Sequence, residues 1–157
     1  MYTLRAAEAN DTEFLFRLYA STREQELSVL PWSGQEKEAF LRWQFAAQDT
    51  HYRARYHGAS LDVLLVAGAP AGRLYVSRRP REIRLMDIAL LPAFRGHGIG
   101  ERVLRDLCTE ADRDGKVLSM HMESNNPARR LYERLGFRVV HQAEPGVYLR
   151  LERQPVN

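Results

Sequence analysis

Leu90-Leu91-Pro92-Ala93-Phe94-Arg95-Gly96-His97-Gly98-Ile99-Gly100 joins the end of an apolar run to the start of a helical pattern through a glycine-rich turn. The residues before it, Ile83 to Leu90, read as a strand that Pro92 stops, because proline supplies no ladder donor. Those after it read as a helix to about Asp114, closed by Gly115 in a C-cap position. The first N–H groups of a helix have no partner inside it, and the helix dipole places partial positive charge there. Glycines let the backbone approach a phosphate with no Cβ in the way. Arg95 adds a cation, and His97 either donates to phosphate or faces solvent. The stretch therefore predicts a pyrophosphate site on residues 95 to 100.

Two nucleotide-binding motifs fit this loop poorly. A Walker A loop ends in Gly-Lys-Ser/Thr, whereas Gly100 is followed by Glu101-Arg102. A dinucleotide fingerprint needs glycine or alanine where Glu101 stands, and belongs in a first βαβ unit rather than after hairpin-like strands.

Arg95-x-x-Gly98-x-Gly100 resembles the coenzyme A motif, Arg/Gln-x-x-Gly-x-Gly/Ala, of the GCN5-related N-acetyltransferases, the GNAT family. Asp87 to Pro92 is similar to the family strand that precedes it. Asn125-Asn126-Pro127-Ala128-Arg129-Arg130-Leu131-Tyr132-Glu133-Arg134-Leu135-Gly136-Phe137 resembles the family's Asn-x-x-Ala-x-x-Leu-Tyr-x-x-x-Gly-Phe signature. The two motifs stand one helix and one strand apart, in the family's order.

The resemblance implies an α/β GNAT fold: a mixed, mostly antiparallel sheet, splayed at its centre, with helices on both faces. It implies acetyl-CoA as co-substrate. The pantetheine arm would bond to the backbone of Ile88, Ala89 and Leu90, and the pyrophosphate would sit over Arg95, Gly96, His97, Gly98, Ile99 and Gly100. Asn125 matches the asparagine that contacts the cofactor, and Tyr132 the tyrosine near the thioester sulfur. The acceptor would be a small-molecule or peptide amine, admitted beside the first two helices. A monomer and a homodimer both stay open.

The chemistry wants such a tyrosine. Attack of an amine on a thioester expels a thiolate, and a phenol with an ordinary pKa near 10 is protonated at neutral pH and can donate to the departing sulfur. The base is less clear. Met120 stands where the family's ribosomal-protein alanine acetyltransferases carry a glutamate. Glu26, in the loop-prone stretch Glu24 to Ser28, is the leading acid; Asp87, Glu123 and water are the others. Trp32, Trp43, Phe45 and Tyr52 could line an acceptor pocket, or be core. A non-catalytic acyl-CoA-binding or regulatory module is the alternative function.

Working outward, Tyr2 to Ala6 reads as a strand, and Asn10 or Asp11 as the N-cap of a helix bearing Phe14, Leu15, Leu18 and Tyr19. A longer helix follows Gly34 and would split near Asp49-Thr50. Leu61 to Ala67 and Arg73 to Ser77 read as a hairpin turning at Gly68-Ala69-Pro70. Val117 to Met122 is a strand, Pro127 to Leu135 a helix, and Phe137 to Val140 with Val147 to Leu151 a closing pair. The 157 residues read as one domain, 1–157, with the alternation of an α/β protein.

Charge is mildly basic, formally +3, with arginine scattered among acids rather than gathered in a stripe. That balance suits an anionic cofactor, and no stacking motif points to nucleic acid. No apolar run reaches the length of a bilayer span, and the polar N-terminus does not read as a signal peptide. A lone Cys108 suits a reducing compartment, so the expected location is cytoplasmic. His51 and His97 lack the spacing of metal ligands, so no metal is expected.

Overall fold

In the computed structural model, which describes residues 1–144 and 148–157, the elements run β1 (Tyr2–Ala6), α1 (Thr12–Ser28), α2 (Gly34–Arg55), β2 (Ser60–Val66), β3 (Ala69–Arg78) and β4 (Glu82–Leu90). Then come α3 (Ile99–Asp114), β5 (Val117–Glu123), α4 (Arg129–Arg134), β6 (Arg138–Glu144) and β7 (Tyr148–Arg153). Short 3-10 turns at Ala9–Asp11 and Pro92–Phe94 precede α1 and the glycine loop. The strands form a seven-stranded mixed sheet of order β1-β2-β3-β4-β5-β7-β6. Pairing is antiparallel for β1–β2, β5–β7 and β6–β7, and parallel for β4–β5.

The parallel ladder registers three positions, Glu82–Val117, Ile83–Leu118 and Arg84–Ser119. β4 then continues to Leu90 without a registered rung to β5, which keeps β7 as its partner as far as Glu123–Tyr148.

The chain divides into two compact units, one of residues 1–74 with 88–95, the other of 75–87 with 96–157. In the first, the apolar faces of α1 and α2 meet through Phe16, Tyr19, Leu27 and Leu41. Phe45 lies 5.9 Å from both Phe16 and Tyr19. In the second, Val103, Leu104, Leu107 and Ala111 form the buried stripe of α3, at the helical spacing that a core-facing face requires. Leu118, Phe137 and Leu151 are also fully enclosed in this unit. Arg153 holds its C-terminal segment, donating to Asp112 Oδ1 at 2.7 Å and to the Leu135 carbonyl at 2.7 Å.

Several boundaries differ from the sequence reading, each for a local reason. Asp11 occupies the position before α1 but makes no side-chain cap; its carboxylate accepts from Arg5 at 2.7 and 2.9 Å and from the Glu8 N–H at 2.7 Å. α2 opens on a reciprocal Ser33–Glu36 capping box and runs unbroken to Arg55, with Arg53 paired back to Asp49 at 2.9 Å across the suspected break. The β2–β3 turn is Ala67-Gly68, with φ of 51° and 80°, so Ala69 and Pro70 already belong to β3. α4 begins at Arg129, after a turn in which Asn126 Oδ1 accepts the Ala128 N–H. Val147 lies outside the described residues; β7 runs from Tyr148.

The Arg5–Asp11 pair gives a stability prediction. Its guanidinium, with help from the Glu8 N–H, holds the Asp11 carboxyl down at about 2, against an ordinary 3.8. A depressed folded-state pKa adds stability above the ordinary value, which is lost as pH falls through the folded one. Asp11→Asn should therefore lower Tm at pH 7 by about 2–4 °C, the shift of a roughly 1 kcal/mol effect in a domain of this size. It should also flatten the loss of Tm between pH 4 and pH 2, which thermal melts across that range would read. Equal melting curves for both proteins would remove the pair from the account.

Candidate functional site

The first unit contributes the end of β4. Ile83 to Leu85 are buried, whereas Ile88, Ala89 and Leu90 are only half-buried. The Leu91 N–H donates to the Ala71 carbonyl of β3 at 2.8 Å. Gly72, the next residue on β3, lies directly against the Ala89 carbonyl. Backbone groups of successive residues in an extended strand point to opposite edges. Ala89 and Leu91 thus face β3, and Ile88 and Leu90 face the other edge.

Arg95 is not a free cation beside a phosphate. Its Nε donates to the Leu90 carbonyl at 2.9 Å and its guanidinium to Ser21 Oγ of α1 at 3.2 Å. It ties the end of β4 to α1 while staying exposed. Ser21 also borders a groove of about 510 Å³ between α1 and α2, lined by Arg17, Glu24, Leu27, Lys37 and Leu41 among others. No sequence pattern marks this groove, since its lining residues are ordinary surface types until two helices bring them together.

The aromatics that could line a pocket or be core do not share one setting. Phe45 is in the α1–α2 core, while Trp43 is 68% exposed and stacks on Phe40, 6.3 Å between centroids. Trp32 meets Phe40 edge-on at 5.2 Å. Glu26 is on the last turn of α1, not in a loop: the helix continues through Ser28. Its side chain is 60% exposed and paired with Arg23 at 3.2 Å. It is not among the groove's lining residues, whereas Glu24 is.

The second unit contributes the glycine loop and α4. Gly96 and Gly98 adopt φ of 78° and 79°, left-handed values that glycine tolerates without a Cβ penalty, and Gly98 is the N-cap of α3. A Cβ built at Gly96, Gly98 or Gly100 would meet nothing within 4 Å. His97 is exposed and Ile99 half-buried. The first intrahelical bond runs from the Arg102 N–H to the Gly98 carbonyl, so the N–H groups of Ile99, Gly100 and Glu101 precede it. Glu101, an acid at this positive end, is drawn onto Arg105 at 2.8 Å and Arg134 at 3.5 Å. Open space, left-handed glycines and a helix N-terminus together suit a pyrophosphate.

Tyr132 is 6% exposed, on α4, edge-on to Phe137 at 5.7 Å. Burial, with the negative charge of Asp87, pushes its pKa up to about 12. Asn125 is exposed in the turn between β5 and α4, and Met120 is buried in β5, paired with Leu151 of β7. Among the described residues no three His, Cys, Asp or Glu side chains come together as a metal group, and no helix is long and apolar enough to cross a membrane.

Comparison with solved structures finds the same fold in several acetyltransferases. PaiA N-acetyltransferase from Thermoplasma acidophilum, in complex with coenzyme A, superposes with a TM-score of 0.70 at 14% identity, over 98% of this chain and 99% of that one. An acetyltransferase from Thermus thermophilus gives 0.69 at 19%, over 98% and 97%. The ribosomal-protein-S18-alanine N-acetyltransferase from Escherichia coli gives 0.64 at 20%, over 100% and 96%. At these identities the likeness is one of fold. No curated protein sequence matches the chain. The sequence profile of the Acetyltransferase (GNAT) family, however, matches residues 13–137. With that match across most of its length, this chain belongs to the GNAT family of acetyltransferases.

Proposed function

We propose that residues 1–157 act as one catalytic domain that moves an acetyl or other short acyl group from acetyl-CoA to a primary amine, by direct attack in a ternary complex. The observation that carries the reading is Tyr132, a buried phenol on α4 held protonated by burial. Bound acetyl-CoA supplies the activated acyl group. Ile88 and Leu90 offer it their outer-edge backbone groups, Ala89 sets the strand between them, and Asn125 and the N–H groups of residues 96 to 100 hold its polar half. Arg95 braces the end of β4 through the Leu90 carbonyl. Tyr132 donates its hydroxyl proton, or a hydrogen bond, to sulfur as the carbon–sulfur bond breaks. The amine is admitted beside α1 and α2, where Glu24 and Lys37 border the groove.

Deprotonation of the amine is left to water, or the amine arrives neutral. Glu26 is solvated, paired to Arg23 at 3.2 Å and not among the residues that line the groove. Rates at subsaturating acceptor should climb with pH toward the acceptor's own pKa, about 10.4 for an alkyl amine. Glu26→Gln should lose less than about threefold, far below the 10²-fold minimum expected of a general base. A low-pH limb that is fixed across acceptors and vanishes in Glu26→Gln would make Glu26 the base.

The direct test of the function is release of free coenzyme A from acetyl-CoA across amino acids, polyamines, aminoglycosides and peptide N-termini. Acceptor-dependent release with acylated product supports transfer. Tight acetyl-CoA binding with no acceptor-dependent release anywhere in the panel would leave a binding module instead.

A further inference from the structure

Gly72 sits in the middle of β3, where glycine weakens a strand and needs a reason. Its neighbours Ala71, Arg73 and Leu74 are all buried, so the position is walled in. The reason lies across the strand. A Cβ on Gly72 would overlap the Ala89 carbonyl oxygen of β4 and stand 2.9 Å from Leu90 Cδ2. Real Cβ atoms do not approach backbone that closely, so either strand would have to shift. The neighbouring Leu91 N–H to Ala71 carbonyl bond, at 2.8 Å, pins the two strands together at this point and leaves little room for it.

We infer that Gly72 is a positioning residue for the acyl-CoA arm: its missing side chain lets Ala89 press its carbonyl against β3, which fixes the outward direction of the Ile88 and Leu90 backbone. The inference rests on the proposed role of Ile88 to Leu90. The adjoining contacts support it. Arg95 clamps the Leu90 carbonyl and β3 holds the Leu91 N–H, so the single peptide unit that follows Leu90 is fixed through both its polar groups. A methyl at Gly72 pushes Ala89 outward beside this anchored unit, and the peptide planes that precede it must rotate. The pantetheine arm, which reads those planes, should feel the change. The nucleotide half, which reads residues 96 to 100, should not.

Gly72→Ala should therefore weaken coenzyme A binding by tenfold or more, about 1.4 kcal/mol. Affinity for adenosine 3′-phosphate 5′-diphosphate, the half that lacks pantetheine, should stay within about twofold, well under the roughly 1.4 kcal/mol of a tenfold change. Calorimetric titration of both ligands into wild type and variant, with thermal melts, reads the difference. Equal losses for both ligands, or none for coenzyme A, overturn the inference. Wild type that binds neither ligand overturns the proposed function with it, so the two failures are distinct. Should Gly72→Ala not fold, amide and carbonyl NMR of the wild type decides. Coenzyme A should shift Gly72 and Ala89 where the nucleotide half does not; unmoved resonances at both overturn the inference.

Discussion

Tyr132→Phe should keep the acetyl-CoA affinity of the wild type and lose about 10²–10⁴-fold in turnover, the range of general acid catalysis. The substitution removes one oxygen and leaves the ring against Phe137, so packing is preserved. What disappears is the proton beside the leaving sulfur, at a cost in the barrier of about 2.7–5.5 kcal/mol.

The pH dependence sharpens this. With its pKa pushed up to about 12, Tyr132 stays protonated well beyond the ordinary tyrosine range. A raised tyrosine pKa means the protonated, donating form persists as pH rises, so turnover should show no decline near pH 10 that the variant lacks. The same shift makes the phenol a weaker acid, so what it gives the departing thiolate is a hydrogen bond rather than a completed proton transfer. Rapid-mixing measurement of product formation, with equilibrium titration of acetyl-CoA, separates the chemical step from binding. Equal rates in both proteins would remove Tyr132 from the mechanism. A matched loss of acetyl-CoA affinity would make it a binding residue.

The fold is legible in the sequence wherever a local rule speaks. Pro92 stopping β4, Gly115 closing α3 and the strand-to-helix glycine loop are each set by backbone constraints that a few residues reveal. Sequence and structure part where two local rules compete. Asp11 is a good N-cap residue, but Arg5 and the Glu8 N–H claim its carboxylate first. Glu24 to Ser28 reads as loop-prone, and acids near a helix C-terminus do oppose the dipole. Arg23 offsets Glu26 there, and Leu27 buries in the α1–α2 core, so the helix runs on.

The site divides the same way. Gly98 and Tyr132 can be proposed for the site because they stand at positions of the two motifs that resemble the family's. Gly72 and the α1–α2 groove cannot, because a close approach between strands and a space between helices exist only after packing. Arg95 shows a third case. Its place in the motif is readable, but its side chain turns to the Leu90 carbonyl and Ser21, contacts that no spacing rule foretells.

Gly100→Val is the substitution that tests the glycine loop most cleanly, and it should weaken coenzyme A binding about a hundredfold. Gly96 and Gly98 make poorer probes. Both hold left-handed backbone, so any side chain there adds strain of order 1–3 kcal/mol and confuses stability with binding. Gly100 lies in the first turn of α3 with no such strain, and a side chain there meets no protein atom within 4 Å of its Cβ. Valine is also a slightly better helix former than glycine, so Tm should hold or rise. The open space that makes the change harmless to folding is the space assigned to the pyrophosphate. Two branched methyl groups standing in it should displace the anion from the helix N-terminus. Losing about two charge-assisted hydrogen bonds, each of roughly 1.5 kcal/mol, gives near 3 kcal/mol, which is the hundredfold. Raising salt should weaken wild-type binding more than that of the variant, since less of the remaining affinity is electrostatic. Titration with coenzyme A beside a thermal melt is the measurement. A folded Gly100→Val that binds coenzyme A as tightly as the wild type would take residues 96 to 100 out of the cofactor site.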